Sequence, residues 1–120
     1  MTTPRRAMGA LETEVMEVLW TADAPMTPAQ VLEAFDDDLA YTTVMTILTR
    51  LWEKGLADRV KSGRAYRYVA AVTEAELVAS RMQRELHRSS DRAATMSRFV
   101  DGLDPDDARR LIALLEQPGT

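Results

Sequence analysis

The chain contains no cysteine. Disulfides, thiolate metal ligands, redox switching and cysteine nucleophiles are therefore excluded. It has one histidine, His87. Zinc sites draw on several His or Cys ligands, so no metal or other cofactor is expected. Asp36, Asp37 and Asp38 are consecutive and do not converge as calcium-loop ligands do, so they read as a solvated turn. There is no glycine-rich phosphate loop and no Ser-His-Asp spacing, which leaves an enzyme nothing to build on. No apolar run approaches the ~18 residues needed to cross a bilayer. After Arg5 and Arg6 the chain turns amphipathic, with Glu12, Glu14 and Glu17, where a signal peptide needs an unbroken apolar stretch. A cytoplasmic protein without membrane insertion is expected.

What is present suits a small globular protein. With 120 residues, 46% of them hydrophobic, the chain has room for one domain, or a small domain with an oligomerisation segment. Its net charge is −4. Residues 40–72 carry six basic side chains (Arg50, Lys54, Arg59, Lys61, Arg64, Arg67) against Glu53 and Asp58, a local +4 that leaves −8 elsewhere. A local basic patch is a usable footprint for phosphates, which respond to the nearby field more than to the total.

Periodicity divides the chain further. Leu11, Val15, Val18 and Leu19 predict a helix over about Ala10–Thr21. Thr27-Pro28 caps a second, over 28–35, burying Val31, Leu32 and Phe35. A third covers residues 41–54, with Val44, Ile47, Leu48 and Leu51 as its apolar stripe and Gly55 past its end. Residues 56–60 and 65–69 have strand character around Lys61, Ser62, Gly63 and Arg64, which predicts a β-hairpin. Helical periodicity then returns, with starts at Thr73, Asp91 and Asp104-Pro105. The expectation is a mainly α chain with one β-hairpin. Residues 1–72 would form a winged helix-turn-helix, and residues 73–120 a three-helix dimerisation segment.

A helix that reads DNA docks by one apolar face and offers short polar and basic side chains to the major groove. On the 41–54 helix that outer face holds Thr42, Thr43, Thr46, Thr49, Arg50, Glu53 and Lys54, with Tyr41 at its start. Threonine hydroxyls can meet phosphates or base edges, and their methyls a thymine methyl. Arg50 suits a bidentate guanine or phosphate contact, and Lys54 a phosphate. The hairpin offers Lys61 and Arg64 near its tip, with Arg59 and Arg67 on the strands, as a wing held to the backbone by charge. Tyr66 and Tyr68 alternate with Arg67 and read as core. Trp20 and Trp52 read as packing residues, His87 as surface, and Arg5 and Arg6 as either a phosphate-touching arm or a plain tail. A charged edge hairpin or a solvated helix would each explain part of this pattern; their combination favours double-stranded DNA as partner. The alternative is a winged-helix protein-interaction module without DNA binding.

Residues 73–120 supply Leu77, Met82, Leu86, Met96, Phe99, Leu111, Ile112 and Leu115, more apolar surface than so short a segment buries alone. A homodimer would use it, and two-fold symmetry suits a palindromic operator. The other arrangement folds these helices back on the same chain.

With those residues placed, the sequence resembles the BlaI/MecI family of penicillinase and methicillin-resistance repressors, its actinobacterial members most closely. The matching stretches are Gly9-Ala10-Leu11-Glu12 with Val15-Met16 and Leu19-Trp20, the run YTTVMTILTRL at 41–51, Lys54-Gly55, and RAYRY at 64–68. The resemblance implies a dimeric repressor on a dyad operator with TACA/TGTA-like half-sites. It also implies release when a membrane-bound sensor protease, responding to a β-lactam, cuts the dimerisation helices. In staphylococcal members the cut falls at an Asn-Phe bond. The corresponding place here is Arg98-Phe99, which keeps the Phe and replaces the Asn. Copper-responsive relatives carry a cysteine cluster that this chain lacks.

Overall fold

A computed structural model describes residues 9–117, so Arg5 and Arg6 lie outside the described residues. The order is α1 (Ala10–Thr21), α2 (Pro28–Glu33), α3 (Tyr41–Glu53), β1 (Ala57–Ser62), β2 (Ala65–Ala70), α4 (Glu74–Arg88), α5 (Arg92–Asp101) and α6 (Pro105–Glu116). This is the expected winged-helix order, mainly helical with one antiparallel hairpin.

Local chemistry sets most of the boundaries. Thr27 and Gln30 form a reciprocal capping box: the Thr27 hydroxyl accepts from the Gln30 N–H at 3.2 Å, and the Gln30 side-chain oxygen accepts from the Thr27 N–H at 2.9 Å. Thr27→Ala is expected to cost about 1 kcal/mol, read as a lower urea midpoint at unchanged slope. The α2 helix stops short of the expected residue 35. The Ala34 and Phe35 N–H groups bond to Val31 and Leu32, three residues back, so the chain tightens out of α-helical register. The α3 helix closes in a Schellman arrangement, with Leu56 N–H on the Leu51 carbonyl, Gly55 N–H on that of Trp52, and Gly55 at φ 79°.

The hairpin pairs Ala57 with Ala70 through to Ser62 with Ala65. Lys61 and Ser62 thus belong to β1, and the loop is Gly63-Arg64 alone. Gly63 has φ 65° while no non-glycine residue described has positive φ, the requirement of a type II′ turn with glycine first. A third, one-residue strand joins the sheet. Met26 and Tyr68 exchange both backbone hydrogen bonds, at 2.9 and 2.7 Å. Met26 has no strand neighbours to alternate with, so no sequence pattern announces it.

The N-terminal unit ends at Val78, past the expected boundary at 72/73. Its core joins Val15, Met16 and Leu19 of α1, Val31 of α2, Val44, Ile47, Leu48 and Leu51 of α3, Ala57 and Tyr68 of the hairpin, and Leu77. Among the described residues no polar or charged side chain is buried. Trp20 donates its indole N–H to the Val72 carbonyl at 2.8 Å, so its packing role includes holding the chain after β2. Leu77, expected in the dimerisation set, is a correction. Thr73 and Glu76 cap α4 reciprocally, and the first turn lays Leu77 into this core at 4% exposure.

The C-terminal unit begins at Ala79. Asp91 and Asp104 cap α5 and α6 through the Ala94 and Asp107 N–H groups. No residue from 79 to 117 is buried. Leu86 and Leu111 are half-buried, while Met82, Met96, Phe99, Ile112 and Leu115 are exposed.

Candidate nucleic-acid interface

The two sides of α3 separate as the sequence predicts. Val44, Ile47, Leu48 and Leu51 are buried, while Tyr41, Thr42, Thr46 and Arg50 are exposed and Thr43 is half-buried. Ala40 at the N-cap offers no side-chain acceptor, and the first intrahelical bonds run from Thr43 and Val44 to its carbonyl. The N–H groups of Tyr41 and Thr42 are left for an anion at the positive end of the helix dipole.

The threonine chemistry is narrower than sequence alone suggests. Thr46 donates its hydroxyl to the Thr42 carbonyl, and Thr49 to that of Met45, both at 2.9 Å. Those hydrogens are engaged within the helix. The hydroxyl lone pairs remain, able to accept from the amino group of adenine or cytosine, and the methyls remain for thymine. Met45 adds an exposed apolar side chain on the same helix that the sequence reading passes over. Helical spacing could have found it, since Met45 lies four residues from both Tyr41 and Thr49.

The six cations of the patch split into two groups. Arg50, Lys61 and Arg64 are exposed and make no hydrogen bond or ion pair among the described residues. The other three have partners within the chain. Lys54, expected on a phosphate, instead pairs with Glu12 at 3.0 Å and so ties the end of α3 to α1. Arg67 bonds the Gln30 side chain of the α2 cap at 3.4 Å. The Arg59 guanidinium lies 3.5 Å from the Trp52 ring centroid and 4.0 Å from that of Tyr66. Tyr68 is core as expected, whereas Tyr66 is exposed and serves as one wall around Arg59. The Lys54 and Arg67 links join residues 42 and 37 positions apart, so neither is visible in sequence. Trp52 and Tyr66 are each only seven residues from Arg59, but they meet it only once the turn after α3 and the hairpin have formed.

Among the described residues no cluster of three or more His, Asp or Glu could hold a metal ion. His87 is exposed, with Nδ1 2.7 Å from the Gln83 carbonyl one turn back.

Residues 8–117 match the family model described as penicillinase repressor. The chain is 42% identical over 117 residues to the transcriptional regulator BlaI of Mycobacterium tuberculosis, in two strains, a match covering 91% of this chain and 85% of that protein. Among solved structures, the ferric uptake regulator Fur of Helicobacter pylori aligns with a TM-score of 0.52 at 19% identity, over 57% of this chain and 49% of that one, a likeness of fold alone. The BlaI of Bacillus licheniformis, solved as a monomeric form in complex with the blaP half-operator, aligns with a TM-score of 0.47 at 26% identity, over 62% of this chain and 90% of that one. The extent of the family match and the identity to BlaI agree with the winged helix seen here: this chain belongs to the penicillinase repressor family, a transcriptional regulator of the BlaI type and not an enzyme.

Proposed function

We propose that the protein is a cytoplasmic repressor that binds, as a homodimer, a palindromic operator with TACA/TGTA-like half-sites. Each protomer places α3 in the major groove and its wing along the adjoining backbone. The observation that carries this reading is the set of unpartnered groups on one winged helix: the uncapped start of α3, Arg50 on its outer face, and Lys61 and Arg64 on the wing. The dimer is supported by residues 79–117, none of which is fully buried and which leave Met82, Met96, Phe99, Ile112 and Leu115 open to a second copy. No described helix is long and apolar enough to cross a membrane. The family relationship points to β-lactam-response genes and to release by a membrane-bound sensor protease cutting Arg98-Phe99. That bond lies inside α5. Proteases take extended substrates, so cutting requires α5 to unwind locally.

Footprinting on the protein's own promoter tests the reading. A protected dyad is expected, and a winged-helix protein-interaction module would protect nothing. Two substitutions separate the roles. Arg50→Ala should weaken operator binding by about 1–3 kcal/mol and leave non-specific binding nearly unchanged. Lys61→Ala should weaken both alike and reduce the slope of log K against log salt by about 1 for each wing. Equal loss of specific and non-specific affinity in Arg50→Ala would remove its base-reading role.

A further inference from the structure

Arg59 carries one of the six positive charges of the patch, yet it is held differently from the rest. It lies between two aromatic rings that come from different elements. Trp52 is in the last turn of α3, Arg59 is on β1 and Tyr66 is on β2. The stack therefore joins the proposed reading helix to both strands of the wing. It also sits where the wing needs support. At the base, Ala57 and Tyr68 anchor the hairpin in the core, but from Val60 to Tyr66 every residue is exposed. A two-stranded ribbon leaving the core is marginal by itself. Lys61 is the cross-strand partner of Tyr66, and Arg64 lies two residues before it. Whatever holds Tyr66 thus holds both wing cations.

Resting on the DNA-binding reading above, we propose that Arg59, clamped by Trp52 and Tyr66, is a positioning residue that sets the wing against α3, so that Lys61 and Arg64 reach phosphates while α3 occupies the groove. The planar guanidinium is suited to the task. A guanidinium can stack on aromatic faces, which an ammonium cannot do, and its central carbon lies over both rings. The competing role is a direct phosphate contact, with the stack merely orienting the guanidinium edge.

Charge-neutral substitutions separate the two. Trp52→Leu removes one wall and no charge. If Arg59 positions the wing, operator affinity falls roughly 2- to 30-fold. The salt slope also falls, by up to ~0.9 for each wing phosphate lost, although every cation remains. Amide hydrogen exchange around Gly63 in the free protein becomes faster. Arg59→Lys, which keeps the charge and loses the stack, behaves the same way, and Trp52→Phe restores affinity and slope. All three side chains are at least partly solvent-accessible, so the fold should hold; Arg59→Lys carries the test if Trp52→Leu does not fold. Unchanged wing exchange in both variants would overturn the proposal while leaving DNA binding intact, and a slope that falls without faster wing exchange would assign Arg59 to a direct phosphate contact. Wild-type protein that fails to shift its own promoter DNA would overturn the DNA-binding reading and this proposal with it.

Discussion

Replacing Ile112 and Leu115 together by aspartate is expected to convert the protein to a monomer and to lower its operator affinity by about 10²- to 10⁴-fold. The two side chains lie three residues apart on α6, with 55% and 76% of their surface open. Residues that far apart share a helix face. Burial of a leucine or isoleucine contributes about 1.5–3 kcal/mol, and a two-fold interface uses each side chain twice. Aspartate removes that contribution and places four carboxylates at the junction. Affinity should fall so far because the second half-site is then no longer filled by a tethered copy. Binding to an isolated half-site should change little. Sedimentation equilibrium and titrations on whole and half operators give both readouts. A variant that stays dimeric, or a monomer that binds the full operator as tightly as wild type, would refute the dimeric reading.

Leu48→Ala has the next largest expected effect, and it acts on the fold. Leu48 is fully buried on the inner side of α3, within the cluster that joins α1, α2, α3 and the hairpin. Removing a buried leucine costs the transfer energy of the lost methyl groups plus a cavity, about 2–5 kcal/mol in all. Domains of this size lose roughly 4–8 °C in Tm per kcal/mol, so a drop of roughly 10 °C or more should appear in a thermal scan at fixed protein concentration. Val60→Ala is the control. Val60 is 57% exposed on β1, and its truncation should stay within about 0.5 kcal/mol. DNA binding of Leu48→Ala should fail with the fold, on operator and random DNA together, unlike that of Arg50→Ala. A Tm equal to that of wild type would mean that α3 is not docked by this face.

The helices were largely legible because their signals are local. A run of apolar residues at helical spacing, a Thr27-Pro28 start and a glycine after Lys54 all act within a turn or two of chain. The ends of α1 and the start of α3 followed from such signals, and so did the sorting of α3 into a buried and an outer side. The hairpin followed from Gly63 between two short strands, although its loop proved to be two residues and not four. Leu77 was misassigned because periodicity gives a face but not a partner. Its helix begins in one compact unit and continues into another.

The charges show the same division. Sequence counted six cations in the segment and treated them as one patch. A charge count carries no distances, and Coulomb and stacking interactions depend on them. Glu12 is forty-two residues from Lys54 in sequence and 3.0 Å from it in space. Sequence alone thus determined the winged-helix order, the buried and polar sides of α3 and the surplus of positive charge around it, since these depend on local propensity and composition. The tertiary structure alone decided which of those charges remain free. Among the described residues Arg50, Lys61 and Arg64 stay open, while Lys54, Arg59 and Arg67 are tied into the winged helix. Folding brings Glu12 and Gln30 to Lys54 and Arg67 from distant parts of the chain, and the turn after α3 and the hairpin bring Trp52 and Tyr66, each seven residues away, onto Arg59.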